Sequence, residues 1–212
     1  MARTRVKICG IRDVESALAA VEAGADALGF VFVESSVRNI DPDDAYEIAG
    51  YLPPFVTKVG LFVDATPEEI DDFGEAFPYD MVQLHGGEDE SRVREIREAA
   101  GVPILKAIRF EAETIEREFR RWNQVDEIDG VLIDGSAGGA GTAFDWTALA
   151  KHIGICDHPL ILAGGLTPEN VAEAIRVVHP YAVDVSSGVE SERGVKSPML
   201  IGAFCRAVAG AS

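Results

Sequence analysis

Two side chains able to move protons stand at the ends of apolar runs that lie far apart in the chain. Cys9 closes the run 5–9, and Asp134 follows directly on the run 130–133. Thiol and carboxyl groups both take part in proton transfer in enzymes, so the two residues are candidate catalytic side chains. Structural interpretations also exist, because cysteine is commonly a core side chain and aspartate commonly caps a helix or bonds to a loop neighbour such as Ser136. The position of each residue at the end of a buried run favours the catalytic interpretation.

Two later apolar runs end in loops of glycine and serine. The first loop contains Gly164 and Gly165, and the second contains Ser186, Ser187 and Gly188. Glycine lets backbone N–H groups approach an anion closely, and serine adds hydroxyl donors. Either loop alone is better explained as a tight turn that needs glycine. The two loops together predict a phosphate-binding site.

Four further polar side chains are candidates for contacts with a substrate. They are Arg38, Gln83, His85 and Asp184. His85 could serve as a ligand, as a base or as a hydrogen-bonded structural residue, and its role is left open. An isolated loop arginine is usually solvated, but Arg38 could reach over the site and pair with a carboxylate.

Lysine in the strands raises the alternative of Schiff-base chemistry. Lys7 alternates with Ile8, so it is expected on the same side of its strand as Cys9. Lys106, in a later apolar run, is the other strand lysine with this potential. Neither lysine stands at the end of its run, which argues against a Schiff-base enzyme.

The elements that must position these residues alternate along the whole chain. Short, nearly continuous apolar runs predict strands at 5–9, 27–32, 57–62, 81–84, 104–108, 130–133, 160–163 and 182–185. Helical patterns fall at 14–23, 42–51, 67–76, 88–100, 113–122, 146–152, 170–178 and 197–208. This alternation predicts an α/β fold, a (β/α)8 TIM barrel formed as one domain by residues 1–212, with an open doubly wound sheet as the competitor. In such barrels the active site lies at the carboxyl ends of the strands, where the candidate residues fall.

Size and composition limit the class of protein. The chain has 212 residues, 47% of them hydrophobic, which is enough for one sizeable core. It contains no apolar run of membrane-spanning length, and its first strand begins too early to leave room for a signal peptide. Three cysteines far apart in sequence argue against a zinc site or a disulfide framework. We therefore expect a cytoplasmic protein without a metal, as a monomer or a homodimer.

The charge of the chain is strongly negative. It has 36 acidic against 19 basic residues, a net charge of −17. Such a charge repels nucleic acid and anionic membranes, so neither is expected as a partner. The acidic residues recur along the predicted helices, and the hypothesis that they adapt the protein to a salty cytoplasm stands beside that of an ordinary acidic protein.

Taken in order, the motifs resemble those of the phosphoribosylanthranilate isomerase family. The segments are KICGI (7–11), GFVF (29–32), SVR (36–38), VGLFV (59–63), VQLHG (82–86), LID (132–134), GGAG (138–141), FDW (144–146), AGGL (163–166), PENV (168–171) and VDVSSGVE (183–190). The resemblance covers nearly the whole chain. Departures occur in rim loops, at residues 35–37 and 191–197.

The resemblance implies a specific reaction and specific roles. It implies an Amadori rearrangement of a small phosphorylated substrate in tryptophan biosynthesis, without a cofactor. Cys9 would be the general base and Asp134 the general acid, while Arg38 would hold the anthranilate carboxylate and the glycine and serine loops the phosphate. A free thiol has a pKa of about 8.5 and a free aspartate one of about 3.9, so each group needs its pKa adjusted by its surroundings.

Three alternatives remain at the level of sequence. One is another phosphate-binding barrel, either a lyase related to indole-glycerol-phosphate synthase or a Schiff-base aldolase. Another is a phospho-ligand-binding barrel without catalysis, which would need neither Cys9 nor Asp134. The third is a bifunctional isomerase that also serves histidine biosynthesis, which is expected to carry aspartate in place of Cys9.

Overall fold

The eight predicted strands close into a parallel barrel. The computed structural model describes residues 3–135 and 144–211, and within them each strand pairs with the next and the eighth pairs with the first. The strands are β1 (Arg5–Cys9), β2 (Ala27–Val31), β3 (Thr57–Phe62), β4 (Met81–Leu84), β5 (Ile104–Arg109), β6 (Gly130–Asp134), β7 (Leu160–Leu162) and β8 (Ala182–Val185). The closed order confirms the predicted barrel over the open sheet. Ser136 and the segment GGAG (138–141) lie outside the described residues.

In the described part of the chain, an α-helix follows each of the eight barrel strands. These helices are α1 (Val14–Glu22), α2 (Pro42–Ala49), α3 (Pro67–Ala76), α4 (Glu90–Ala100), α5 (Ile115–Trp122), α6 (Trp146–Ala150), α7 (Val171–Val178) and α8 (Pro198–Ala209). Their ends lie within two residues of the predicted ones, and those of α3 coincide with them. The caps explain this accuracy: Thr66 and Glu69 form a capping box at α3, and Gly101 ends α4 in the left-handed conformation with φ of 64°. None of the helices in the described part of the chain could cross a membrane.

Alternation along the strands separates two apolar layers. Val6 and Ile8 of β1 face outward into the large core under the helices. Lys7 and Cys9 face inward, as the alternation with Ile8 predicts. A smaller cluster fills the barrel interior below the site and consists of Leu105, Ala107, Leu132, Ile161, Ala163 and Ala182. Apolar packing inside the barrel therefore supports the carboxyl ends of the strands, where the candidate residues lie.

A short hairpin between β8 and α8 was not predicted. It consists of β9 (Glu190–Glu192) and β10 (Val195–Lys196), joined through Gly194 at φ of 86°. The two strands are antiparallel and do not belong to the barrel. The hairpin brings the buried side chain of Lys196 under the rim of the barrel.

Candidate active site

A cavity of about 340 Å³ opens at the carboxyl ends of the strands. All the residues that the sequence singled out as catalytic, substrate-binding or phosphate-binding line it: Cys9, Arg38, Gln83, His85, Asp134, Gly164, Gly165, Asp184, Ser186, Ser187 and Gly188. They come from widely separated parts of the chain. Barrel closure alone brings them together, because every strand ends at the same face.

The order of strands around the barrel sets the layout of the site. Asp134 ends β6 and Cys9 ends β1, and β7 and β8 lie between them on the short way around. The loops after β7 and β8 are the glycine and serine loops. The thiol and the carboxyl group therefore flank the two loops, one on each side.

Cys9 lies in a buried and charged environment at the end of β1. Its sulfur lies beside the Lys7 ammonium, whose Nζ donates to Asp184 Oδ1 at 2.8 Å. Burial raises the pKa of the Cys9 thiol; Lys7 and Lys196 oppose this effect, Asp184 adds to it, and the pKa stays above its ordinary value. The thiolate is thus the minor form at neutral pH.

Asp134 belongs to a row of polar side chains that runs from the end of β6 to the end of β4. His85 Nε2 lies 3.3 Å from Asp134 Oδ2, and Gln83 Nε2 lies 2.9 Å from His85 Nδ1. Gly164 lies against the same carboxylate, since a Cβ there would stand 2.7 Å from Asp134 Oδ1. A larger residue at position 164 would displace the carboxylate, so the glycine also shapes this side of the site.

The two glycine and serine loops need their glycines for different reasons. Gly164 and Gly165 adopt φ of 81° and 66°, which L side chains rarely adopt. Gly188 has no room for a side chain, because a Cβ would lie 1.8 Å from the carbonyl oxygen of Leu166. Lys196 Nζ donates to the carbonyl oxygen of Ser186 at 3.0 Å and approaches its Oγ at 3.2 Å. The loop after β8 is thereby fixed from below by a buried cation.

Arg38 is held at the rim by a residue that the sequence did not single out. Its Nε and Nη2 donate to the two carboxylate oxygens of Glu190 at 2.7 and 2.9 Å. Glu190 also accepts from Lys196 Nζ at 2.8 Å and from the backbone N–H of Gly194 at 3.0 Å. Burial acts to raise the pKa of Glu190, but Arg38 and Lys196 lower it to about 2. Arg38 therefore pairs with a carboxylate of the chain itself, and its contact with a substrate carboxylate stays a prediction.

Comparison with known proteins agrees with this geometry. A family model described as N-(5'-phosphoribosyl)anthranilate (PRA) isomerase matches residues 6–207. The chain belongs to this family. The isomerase of Pseudomonas fluorescens (strain Pf0-1) is 47% identical over 212 residues, covering 98% of this chain and all of the relative. These matches confirm the resemblance, and with it the assignment of the chain to a family of enzymes.

Solved structures of isomerases superpose on the whole chain. The phosphoribosyl anthranilate isomerase of Thermus thermophilus is 37% identical with a TM-score of 0.89, covering 99% of this chain and 100% of its own. Another isomerase, solved in complex with reduced 1-(o-carboxyphenylamino)-1-deoxyribulose 5-phosphate, is 42% identical with a TM-score of 0.85, covering 98% of this chain and 99% of its own. The barrel is therefore that of the isomerase family.

The strand lysines do not have the surroundings of Schiff-base nucleophiles. Burial acts to lower the pKa of Lys7, but Asp184 and Cys9 together raise it, so the amine stays protonated. Lys106 points away from the barrel interior and pairs with Glu88 Oε2 at 2.6 Å, beside the ring of Trp122. Among residues 3–135 and 144–211, no three His, Cys, Asp or Glu side chains are grouped to hold a metal.

Three residues of the site were missed by sequence reasoning. Arg193 lines the cavity, while Glu190 and Lys196 support its rim and its phosphate-type loop. Glu190 closes one of the family motifs, and that was the only signal it gave. Lys196 and Arg193 lie in a polar, glycine-containing segment that has the composition of a solvated loop.

Proposed function

We propose that this protein converts N-(5-phosphoribosyl)anthranilate to 1-(2-carboxyphenylamino)-1-deoxyribulose 5-phosphate in tryptophan biosynthesis. The observation that carries the proposal is the placement of Cys9 and Asp134 in one cavity, on either side of two glycine and serine loops. Membership of the isomerase family and the similarity to a structure that holds the reduced product support it. The finer roles below are part of the proposal.

Asp134 acts first, as the general acid. The protonated carboxyl group gives its proton to the ring oxygen of the ribose while the nitrogen lone pair forms a double bond to C1′. The bond between C1′ and the ring oxygen breaks, and a protonated Schiff base with a free 4′-hydroxyl results. His85 Nε2, 3.3 Å from Asp134 Oδ2, would hold the carboxyl group in place for this step.

Cys9 acts second, as the general base. The thiolate takes the proton from C2′, and the electron pair left behind forms a C1′–C2′ double bond as the C1′–N double bond becomes a single bond. The enolamine then tautomerises to the ketone: its hydroxyl proton leaves and C1′ gains one. C2′ is oxidised and C1′ is reduced within one molecule, so the reaction needs no external redox partner.

Binding groups surround the two reacting carbons. The backbone N–H groups at Gly164, Gly165 and Gly188 and the hydroxyls of Ser186 and Ser187 are proposed to hold the 5-phosphate. In the barrel these loops stand between acid and base, so a phosphate held there would place the ribose between the two.

Groups on the other side of the cavity would hold the rest of the substrate. Arg38 would meet the anthranilate carboxylate with Nη1, since Nε and Nη2 already bond Glu190. Gln83, His85 and Asp184 are proposed as further substrate contacts. Gln83 Oε1 is buried and has no hydrogen-bond partner among the described residues, so it is free to accept a bond from a substrate N–H or O–H.

The test is turnover of freshly prepared substrate, followed by the loss of its anthranilate-type fluorescence in low and molar salt. Wild type should turn over, and Cys9→Ala and Asp134→Asn should each lower kcat by about 10²–10⁴-fold, as general acid–base groups do. Matched controls are Cys156→Ala, away from the cavity, and Asp126→Asn, on the surface, which should keep full activity.

The outcomes separate the proposal from its alternatives. A folded wild type that binds a phosphorylated product analogue but never turns over substrate would mark a phosphate-binding barrel without this catalysis. Full activity in either Cys9→Ala or Asp134→Asn would refute the assigned role of that residue.

A further inference from the structure

Lys7 is a buried cation that the proposed chemistry does not use. It lies on the inner face of β1, two residues before Cys9, and its side chain is only 5% exposed. Its Nζ lies 2.8 Å from Asp184 Oδ1, and that side chain is 9% exposed. An isolated pair of this kind is costly to bury, and replacement by apolar residues is often neutral or stabilising. The presence of this buried pair is therefore better explained by a role in the site than by a contribution to stability.

The geometry around Gly29 on β2 brings Lys7 and Cys9 together. A Cβ placed on Gly29 would stand 2.8 Å from Cys9 Sγ and 3.1 Å from Lys7 Nζ. Both atoms therefore border the space that a side chain at position 29 would fill, so the ammonium and the sulfur are neighbours. Because β2 has glycine at position 29, it leaves room for the Lys7 ammonium and the Cys9 sulfur.

The charged groups facing Cys9 come from four elements. Lys7 comes from β1 and Asp184 from β8, both on the inner face. Arg38, from the loop after β2, and Lys196, from β10, also interact electrostatically with the sulfur. Glu190 offsets the charges of Arg38 and Lys196, which it bonds. Lys7 is the cation in contact, so it has the largest single effect in favour of the thiolate.

We propose that Lys7 is a positioning residue that stabilises the thiolate of Cys9, with Asp184 holding the ammonium in place. The inference deepens the proposed function, because it supplies the positive charge that a buried thiolate base requires. When the thiol ionises, its proton leaves and Lys7 stays protonated, so the ammonium faces an anion on either side. Asp184 has a second effect of opposite sign, because its negative charge disfavours the thiolate.

These opposing effects give a test that a purely structural role would not satisfy. The rate of alkylation of Cys9 by iodoacetamide is measured against pH in the purified full-length chain, with each cysteine resolved by peptide mass spectrometry. Lys7→Met should slow alkylation of Cys9 about tenfold near neutral pH, the change expected from one pKa unit. Asp184→Asn should accelerate it, because the thiolate then becomes the main counterion of Lys7. Loosening of the site would change both variants in the same direction.

Controls keep the result independent of folding. Cys205, buried in α8, should stay protected in every variant, since its exposure would report unfolding rather than a local effect. Lys7→Met leaves Asp184 buried without its partner, so a Lys7→Met/Asp184→Asn variant removes both charges and should still alkylate more slowly than wild type. Lys106→Met, which removes a buried strand lysine outside the cavity, should leave Cys9 alkylation unchanged.

Turnover distinguishes a failure of this inference from a failure of the proposed function. The alkaline shift of Cys9 in Lys7→Met should move the rising limb of the kcat/KM profile to higher pH by the same amount. Active enzyme with unchanged alkylation in Lys7→Met would overturn the inference and leave the isomerase intact. Slower alkylation of Cys9 in Lys7→Met, together with a wild type that never turns over substrate, would support the inference and refute the isomerase.

Discussion

Gly29 is the residue on which the geometry around Cys9 depends most directly. It lies opposite Cys9 in the register of β1 and β2, and the sulfur occupies the space where its side chain would be. Its backbone needs no unusual conformation, so the restriction is purely one of space. A substitution there tests the position of the sulfur, and it also crowds the Lys7 ammonium, which lies 3.1 Å from the position of the added Cβ.

We expect Gly29→Ala to lower kcat by about 10²-fold, since displacement of a reacting group by roughly 1 Å has effects of this size. The added methyl would stand 2.8 Å from Cys9 Sγ, so the sulfur must move. The measurement is steady-state kinetics together with thermal unfolding. Gly154→Ala is the control, because a Cβ at Gly154 meets nothing within 4 Å. Unchanged kcat in Gly29→Ala would contradict the placement of the sulfur as the base.

For individual residues, the sequence predicted which side chains lie in the site but not which of these side chains contact one another. Cys9 and Asp134 could be predicted because the end of a buried run fixes the position of a side chain in a barrel. The contact between Lys7 and Asp184 spans 177 residues and depends on how β1 pairs with β8. That register is set by barrel closure, which no local pattern encodes.

Among the elements, the hairpin of β9 and β10 controls the rim of the site. Glu190 begins the hairpin and Lys196 ends it, and together with Arg38 they form a buried cluster of three charges. The side chains of Glu190 and Lys196 are 4% and 1% exposed. Because Glu190 offsets two cations at once, its carboxylate is the member that the cluster can least tolerate losing.

We expect Glu190→Gln to lower the free energy of unfolding by about 3 kcal/mol, because it leaves two partly or fully buried cations without a counterion. Chemical denaturation measures this loss, and the KM for substrate should rise as Arg38 loses its anchor. Glu192→Gln, at an exposed position of the same hairpin, is the matched control and should change neither quantity. Equal stabilities of the two variants would show that the cluster contributes little.

Acid should weaken the same cluster in the wild-type protein. The folded pKa of Glu190, about 2, lies below its ordinary value of 4.5. A depressed carboxylate pKa gives stability that is fully present above the ordinary value and is lost as pH falls through the folded one. Between pH 4.5 and about pH 2, the wild-type protein should therefore lose more stability than Glu190→Gln, which has no carboxylate to protonate at this position. Chemical denaturation at several pH values in this range measures the difference.

The barrel strands could be predicted and the hairpin could not, for one physical reason. A strand buried on both faces needs a continuous apolar run, which stands out in any sequence. β9 and β10 have three and two residues, and their residues are mostly polar because one side faces solvent. The hairpin is held by a cluster that includes Arg38, from the loop after β2, and its short polar strands carry no apolar pattern that would predict it.

For the whole molecule, net charge is the property with the widest consequence. An excess of acidic over basic residues, 36 against 19, gives −17 on a chain of 212 residues. Several exposed pairs, such as Lys58 with Asp80 and Arg97 with Asp129, offset part of this charge locally. Such exposed pairs contribute little to stability, so the unpaired excess sets the response to salt. Repulsion among like charges disfavours the compact state, and salt screens it.

We therefore expect KCl to stabilise the protein. The screening length falls from about 10 Å at 0.1 M to about 3 Å at 1 M, which is shorter than most spacings between surface charges. A gain of roughly 1 kcal/mol would raise Tm by about 2–4 °C in a chain of this size. Thermal unfolding in 0.1 M and in molar KCl measures the gain, with sucrose at equal osmolality as an uncharged control. If Tm is the same at both salt concentrations, or rises equally in sucrose, charge repulsion does not limit stability and the hypothesis of adaptation to salt fails. A rise specific to KCl, with isomerase turnover preserved in molar salt, would show that the acidic excess is tuned to salty surroundings rather than to catalysis.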